Sequence, residues 1–229
     1  MSYTTQESAD AVVLTPSAPP NAAVIWLHGL GADGFDFVPI VDELRLPAPL
    51  AVRFVFPQAQ PRPVTINNGY VMRAWYDIKG FAPNRVEDEA GIRDSVRIVQ
   101  QYIDREVAAG IGADHIVIAG FSQGGAVALN AGLRYSQRLA GIMGLSTYLP
   151  LPESIAAEAA AANRSTPILL CHGLRDPVLP IQMGMAARDL LQGQGHVVEW
   201  RSYPMEHQVC MEEIVDISSW LQARLPRNI

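Results

Sequence analysis

The stretch from Ile116 to Leu129 reads "IVIAGFSQGGAVAL". It opens on an apolar, β-branched run, as a buried strand does. It closes on small and helix-favouring residues. Between the two, Gly120-Phe121-Ser122-Gln123-Gly124 matches G-x-S-x-G. Strand, turn and helix in that order are the context a nucleophilic serine needs. The turn holds the serine in a strained conformation with its hydroxyl exposed at the carboxyl end of a sheet. The flanking glycines remove Cβ atoms where helix and strand cross closely. The N-terminus of the helix also aims N–H groups at developing negative charge. The alternative is a glycine-rich turn with a bystander serine.

Outward from this stretch, strands and helices alternate. "AAVIWL" (22–27), "VRFVFP" (52–57), "HIVIAG" (115–120), "GIMGLS" (141–146), "PILLCH" (167–172) and "VVEWRSYP" (from 197) read as strands. Four are nearly continuous apolar runs, the pattern of strands covered on both faces. Helical patterns fall at 86–110, 123–135, 182–195 and 209–225, and the Ala-rich "SIAAEAAAAN" (154–163) reads as a surface helix. Such alternation predicts an α/β fold with a mostly parallel sheet, its helices on both faces, in one domain spanning 1–229. Residues 1–20 are read as an N-terminal segment. Residues 58–85 show no clear period, yet Tyr70, Met72, Trp75, Tyr76 and Phe81 make them too apolar for a solvated linker. A structureless loop of that length is often functional, so this segment is expected to flank the active site.

Composition narrows the function. The formal net charge is −6, which argues against a nucleic-acid partner. The first 20 residues lack the basic and apolar regions of a secretory signal. No apolar run is long enough for a membrane span. Cys171 and Cys210 form neither a metal-spacing pattern nor a disulfide framework. A cytoplasmic location is the default expectation.

A nucleophilic serine needs a base, and the base needs an orienting acid. On a serine-elbow sheet their chain order is Ser, acid, His. His28 and His115 precede Ser122. His172 lies on a strand, before any convincing acid, and His196 lies at the amino end of the last strand. His207 follows that strand at its carboxyl end, the side on which Ser122 lies. Asp176, in the loop after "ILLCHG", is the matching acid, with Glu206 as the fallback. Asp176 could instead cap the following helix. The interval from Asp176 to His207 accommodates one helix and one strand.

Earlier in the chain, "LHGLGADG" (27–34) contains G-x-G-x-x-G. That pattern binds dinucleotides only with an acid at the end of the next strand. The next strand ends in Pro57 and Gln58. The glycines instead suit a loop that brings its backbone to a substrate oxygen. Leu30 N–H and Gln123 N–H are therefore the expected oxyanion donors, and His28 is expected to brace the loop through its ring nitrogens.

With these residues assembled, the sequence resembles the carboxylesterase/acyl-protein thioesterase family of small α/β-hydrolases, also called the phospholipase/carboxylesterase family. The blocks that carry the resemblance are "LHGLGADG", "MRAWYD", "GFSQGGAVAL", "LSTYLPL", "HGLRDPVLP" and "YPMEHQVCMEEIVDISSWL". "LSTYLPL" looks like the bacterial esterase form, since eukaryotic thioesterases more often carry Trp at the place of Tyr148. The resemblance implies an α/β-hydrolase fold without a large lid domain, and no cofactor or metal. It implies catalysis by Ser122, Asp176 and His207, and an apolar acyl channel lined by Trp75, Tyr148, Leu149, Val178 and Leu179. The implied activity is hydrolysis of short- to medium-chain acyl esters. Acyl-protein thioesterase or lysophospholipase activity is the alternative, with a small-molecule or lipid ester or an acylated protein as substrate. Family members are often homodimers, which nothing in the sequence decides. Two other classes stay open: a nucleotide-dependent oxidoreductase and a catalytically silent hydrolase-fold binding protein.

Overall fold

The computed structural model describes residues 2–80 and 86–226. Eight strands form one sheet: β1 (Tyr3–Glu7), β2 (Ala11–Pro16), β3 (Ala22–Leu27), β4 (Val52–Pro57), β7 (Ile116–Phe121), β8 (Gly141–Leu145), β9 (Ile168–Gly173) and β10 (Val198–Tyr203). The remaining two, β5 (Pro61–Val64) and β6 (Tyr70–Arg73), pair as a separate antiparallel hairpin. The sheet runs β1-β2-β4-β3-β7-β8-β9-β10. Every pair from β4 to β10 is parallel, while β1 and β2 are antiparallel to their neighbours.

Helices α2 (Glu89–Ala108), α3 (Gln123–Arg134), α4 (Pro152–Glu158) and α5 (Ile181–Gly193) pack on one face. The opposite face carries α1 (Ile40–Glu43) and α6 (Met211–Arg224). Each face has its own core. Ile25, Ile118, Ile142 and Leu170 point to the first, with Ile103 and Leu129 above them. Val24, Val117, Met143 and Leu169 point to the second, against Ile217 and Trp220. Successive residues of these strands thus enter opposite cores. This explains the continuous apolar runs: a strand buried on both faces has no polar alternation. The result is an α/β-hydrolase fold with helices on both faces and no large lid domain.

Three expectations are corrected here. The N-terminal segment contributes strands β1 and β2 to the sheet. β1 is an edge strand, exposed along most of its length, so the sequence "YTTQE" carries no apolar signal. The segment from Gln58 contains the β5–β6 hairpin, with Pro61 and Pro63 on a strand that has no second partner, where a missing N–H costs little. Residues 81–85, including Phe81, lie outside the described residues. Helix α4 also ends at Glu158, short of the expected 163.

Strand registers bring the functional loops to one edge. Leu27 pairs with Gly120, Phe121 with Leu145, Leu145 with Cys171 and Gly173 with Tyr203. The loops after β3, β7, β9 and β10 therefore leave side by side. They carry Leu30, Ser122, Asp176 and His207. Between β3 and β7 the order of strands reverses direction, which is where open α/β sheets bind ligands.

Candidate active site

Ser122 links β7 to α3 with φ 53° and ψ −120°. This left-handed conformation is costly for a non-glycine residue, and its surroundings enforce it. Its N–H donates to the Leu145 carbonyl at 2.9 Å, and its carbonyl accepts from Ala126 N–H at 3.1 Å. Thr147 Oγ1 donates to the same carbonyl at 2.7 Å. The glycines are required by close packing. A Cβ on Gly120 would collide with the Gly124 carbonyl, and one on Gly124 with the carbonyls of Leu27 and His28.

Ser122 Oγ lies 2.9 Å from His207 Nε2. His207 Nδ1 lies 2.6 Å from Asp176 Oδ2. The Asp176 side chain has no solvent exposure, whereas that of His207 keeps 15%, so the imidazole reaches the cleft while the acid stays dry. A carboxylate accepts, so Nδ1 is the protonated nitrogen and Nε2 faces the serine hydroxyl as acceptor. The Phe121 ring packs against the imidazole, with centroids 4.8 Å apart.

Asp176 satisfies both readings of its loop position. Its Oδ1 accepts from Val178 N–H at 2.9 Å and Leu179 N–H at 2.8 Å. This is the turn-capping role, although Pro180, not Asp176, is the N-cap of α5. The other oxygen is left for His207. Glu206 is exposed.

Gly29 lies against Ser122: a Cβ there would be 3.3 Å from the Phe121 ring and 3.5 Å from Ser122 Cβ. Among the described residues, Leu30 N–H has no hydrogen-bond acceptor. Gln123 is the first residue of α3, so its N–H has no acceptor within the helix. Leu30 and Gln123 line the same cleft as Ser122.

His28 holds the loop from both nitrogens. Ala59 N–H donates to its Nε2 at 3.0 Å, so the proton is on Nδ1, which donates to the Gly29 carbonyl at 2.7 Å. Burial pushes its pKa below the ordinary histidine value, in keeping with this neutral form.

A cleft of about 870 Å³ opens beside Ser122 and His207. Leu30, Ile66, Ile78 and Met183 give it an apolar lining, joined by Tyr148, Val178 and Leu179. Trp75 and Leu149 are not part of its wall. Trp75 is 2% exposed and donates its indole N–H to the His28 carbonyl at 2.9 Å. Leu149 packs in the core. The wall also includes Tyr76, whose hydroxyl is hydrogen-bonded to that of Tyr148. Sequence reasoning overlooked the lining residues Ile66, Ile78 and Met183, and also Thr147, Tyr76 and the side chain of Gln123. Only their nearness to quoted motifs could have marked them, because their roles depend on tertiary contacts.

Similarity to other proteins agrees with this geometry. Residues 8–225 match the family described as Phospholipase/Carboxylesterase. Acyl-protein thioesterase 1 of Neurospora crassa is 41% identical over 225 residues, covering 94% of this chain and 92% of that protein. The Yarrowia lipolytica protein of the same name is 39% identical, covering 94% and 97%. Among solved structures, Arabidopsis thaliana SOBER1 superposes with a TM-score of 0.84 at 34% identity, covering 89% of this chain and 98% of that one.

Proposed function

The chain belongs to the phospholipase/carboxylesterase family of hydrolases, and on that premise we propose that it is a serine carboxylic-ester hydrolase working through an acyl-enzyme on short- to medium-chain acyl esters. The observation that carries this reading is the unbroken hydrogen-bonded chain from Ser122 through His207 to Asp176, at 2.9 and 2.6 Å.

In this mechanism Ser122 Oγ attacks the acyl carbonyl as His207 Nε2 takes the hydroxyl proton. The buried Asp176 carboxylate holds the imidazole tautomer and stabilises the imidazolium that forms. The carbonyl oxygen, now an anion, accepts from Leu30 N–H and Gln123 N–H. Such pre-aimed donors act without reorganising during the reaction. The C–O bond breaks, and His207 returns the proton to the departing alcohol. Water then attacks the acyl-enzyme by the same route, releasing the acid and restoring Ser122. The apolar cleft holds the acyl chain, with Tyr148, Val178 and Leu179 against it.

A second reading has its own support. The fungal relatives named above are called acyl-protein thioesterases. The same residues would cleave a thioester, with His207 protonating a thiol, and an acylated protein would then be the substrate. Tyr148 in "LSTYLPL" favours the bacterial esterase branch in our reading, and a cytoplasmic location goes with it. A chain-length series of p-nitrophenyl esters and matching thioesters separates the readings. Faster turnover of esters supports the first and faster turnover of thioesters the second. No turnover of either series would refute both.

A further inference from the structure

Asp176 has a second histidine beside it. His172 stands near the end of β9, 1% exposed. Its Nε2 lies 2.8 Å from the Leu179 carbonyl oxygen and 3.5 Å from Asp176 Oδ2. A carbonyl oxygen can only accept, so Nε2 carries the proton and donates. The ring is closely surrounded. Trp200 stacks on it at 6.1 Å between centroids, and a Cβ on Gly184 of α5 would sit 2.5 Å from its Nδ1.

These bonds form a circuit. His172 Nε2–H donates to the Leu179 carbonyl, and Leu179 N–H donates to Asp176 Oδ1. Asp176 Oδ2 then receives His207 Nδ1–H. The loop that carries Asp176 needs such an anchor. Its first half is tied to the end of β10 and the chain after it: Leu174 N–H donates to the Tyr203 carbonyl and Arg175 N–H to that of Met205. Its second half contains Pro177 and Pro180, which have no N–H. The N–H groups of Val178 and Leu179 are both spent on Asp176. Leu174 and Val178 are more than half exposed. Among the described residues, the hydrogen bond reaching this second half from the sheet is the one from His172.

We propose that His172 is a positioning residue: it fixes the Leu179 main chain so that Asp176 stays aimed at His207. The proposal rests on the reading of Ser122, His207 and Asp176 as the catalytic chain. Burial pushes the His172 pKa down, keeping the ring in its neutral donor form. A charged His172 would compete with the His207 imidazolium for Asp176 Oδ2 during turnover. A histidine that sits before the acid on a strand thus has a place in the site: it lies beside the same carboxylate oxygen that receives His207.

The test compares His172→Leu and His172→Gln with the unmodified full-length chain, reading kcat, KM and Tm on p-nitrophenyl butyrate. His172→Leu removes the donor and is expected to lower kcat by about 10- to 100-fold, as small misplacements of catalytic groups do. KM should hardly change, because the loss falls on the transition state. His172→Gln keeps an N–H donor and should recover most of the rate. Wild-type kcat in both variants, or an equal fall in both, overturns the proposal. Imidazole ¹⁵N NMR of the unmodified protein tests it without a variant. It should show Nε2 protonated and Nδ1 bare from about pH 6 to 8, the range in which an ordinary histidine titrates. An Nδ1–H tautomer overturns the proposal. The parent reading is judged separately. If the unmodified chain turns over no ester, that reading fails and this proposal with it. If the unmodified chain is active and both variants match it, only the role of His172 is lost.

Discussion

The side-chain amide of Gln123 donates to the Tyr76 carbonyl at 2.7 Å, and its oxygen accepts from the neighbouring Trp75 N–H at 2.9 Å. Gln123 thus has a structural task beside its proposed one. Its side chain fastens the segment that forms one wall of the cleft, and in the proposed mechanism its main-chain N–H donates to the substrate oxygen.

Gln123→Leu separates these tasks. It leaves the buried Trp75 N–H without its Gln123 acceptor, at about 1–3 kcal/mol for an unsatisfied buried group, and removes the donor to the Tyr76 carbonyl. Tm is expected to fall, and KM to rise more than kcat drops, because the main-chain donor remains. A calorimetric scan with a steady-state titration checks this. An unchanged Tm would show that the wall is held by other contacts.

Gly124→Ala tests the packing of the elbow. The new Cβ would meet the carbonyls of Leu27 and His28, which belong to the central sheet and the loop after it and cannot give way cheaply. Overpacking of this kind costs about 1–3 kcal/mol or more. The expected result is a lower urea midpoint and a marked loss of activity. A variant with wild-type midpoint and rate would contradict the required close crossing.

Asp176→Asn preserves shape but replaces an acceptor with a group that can donate, favouring the wrong imidazole tautomer. Turnover is expected to fall by a factor on the order of 10⁴. The turn should survive, since the amide oxygen can still accept from Val178 and Leu179, so circular dichroism should be unchanged. Full activity would return the acid role to Glu206.

Glu213 predicts a pH dependence of stability. It is completely buried on α6. Burial, with a smaller contribution from the nearby Asp216 charge, pushes its pKa up to about 8 from an ordinary 4.5. The folded state therefore keeps a proton that the unfolded chain releases. This contribution is full below about pH 4.5 and is lost as pH rises towards about 8. Glu213→Gln stays neutral throughout. The Tm of the unmodified chain relative to this variant should decline from about pH 5 to 8, and a constant difference would contradict the assignment.

The central strands were legible in the sequence because burial on both faces leaves an unbroken apolar run, as in "AAVIWL" and "HIVIAG". The same rule explains why β1 was not: an edge strand of polar residues has no such signature. β5 is masked by its own prolines. At the site, the positions of Ser122, Asp176 and His207 followed from chain order and from which end of a strand each residue leaves. Their distances could not be read that way, nor could the direction of the Trp75 ring. The indole looks like cleft lining in sequence, but its N–H is drawn inward by the His28 carbonyl, and the ring goes with it. Chain order alone gives His172 no role, since it lies on a strand before the acid. Its contact with Leu179 arises only when β9 and the loop after it fold together.

In the proposed mechanism Ser122 is the nucleophile that forms the acyl-enzyme. The most direct test of this is intact-mass and peptide mapping after treatment with a fluorophosphonate, in parallel with p-nitrophenyl butyrate hydrolysis. One adduct on Ser122, with label and turnover both abolished in Ser122→Ala, is the predicted result. Hydrolysis by Ser122→Ala at the rate of the unmodified chain would contradict the account.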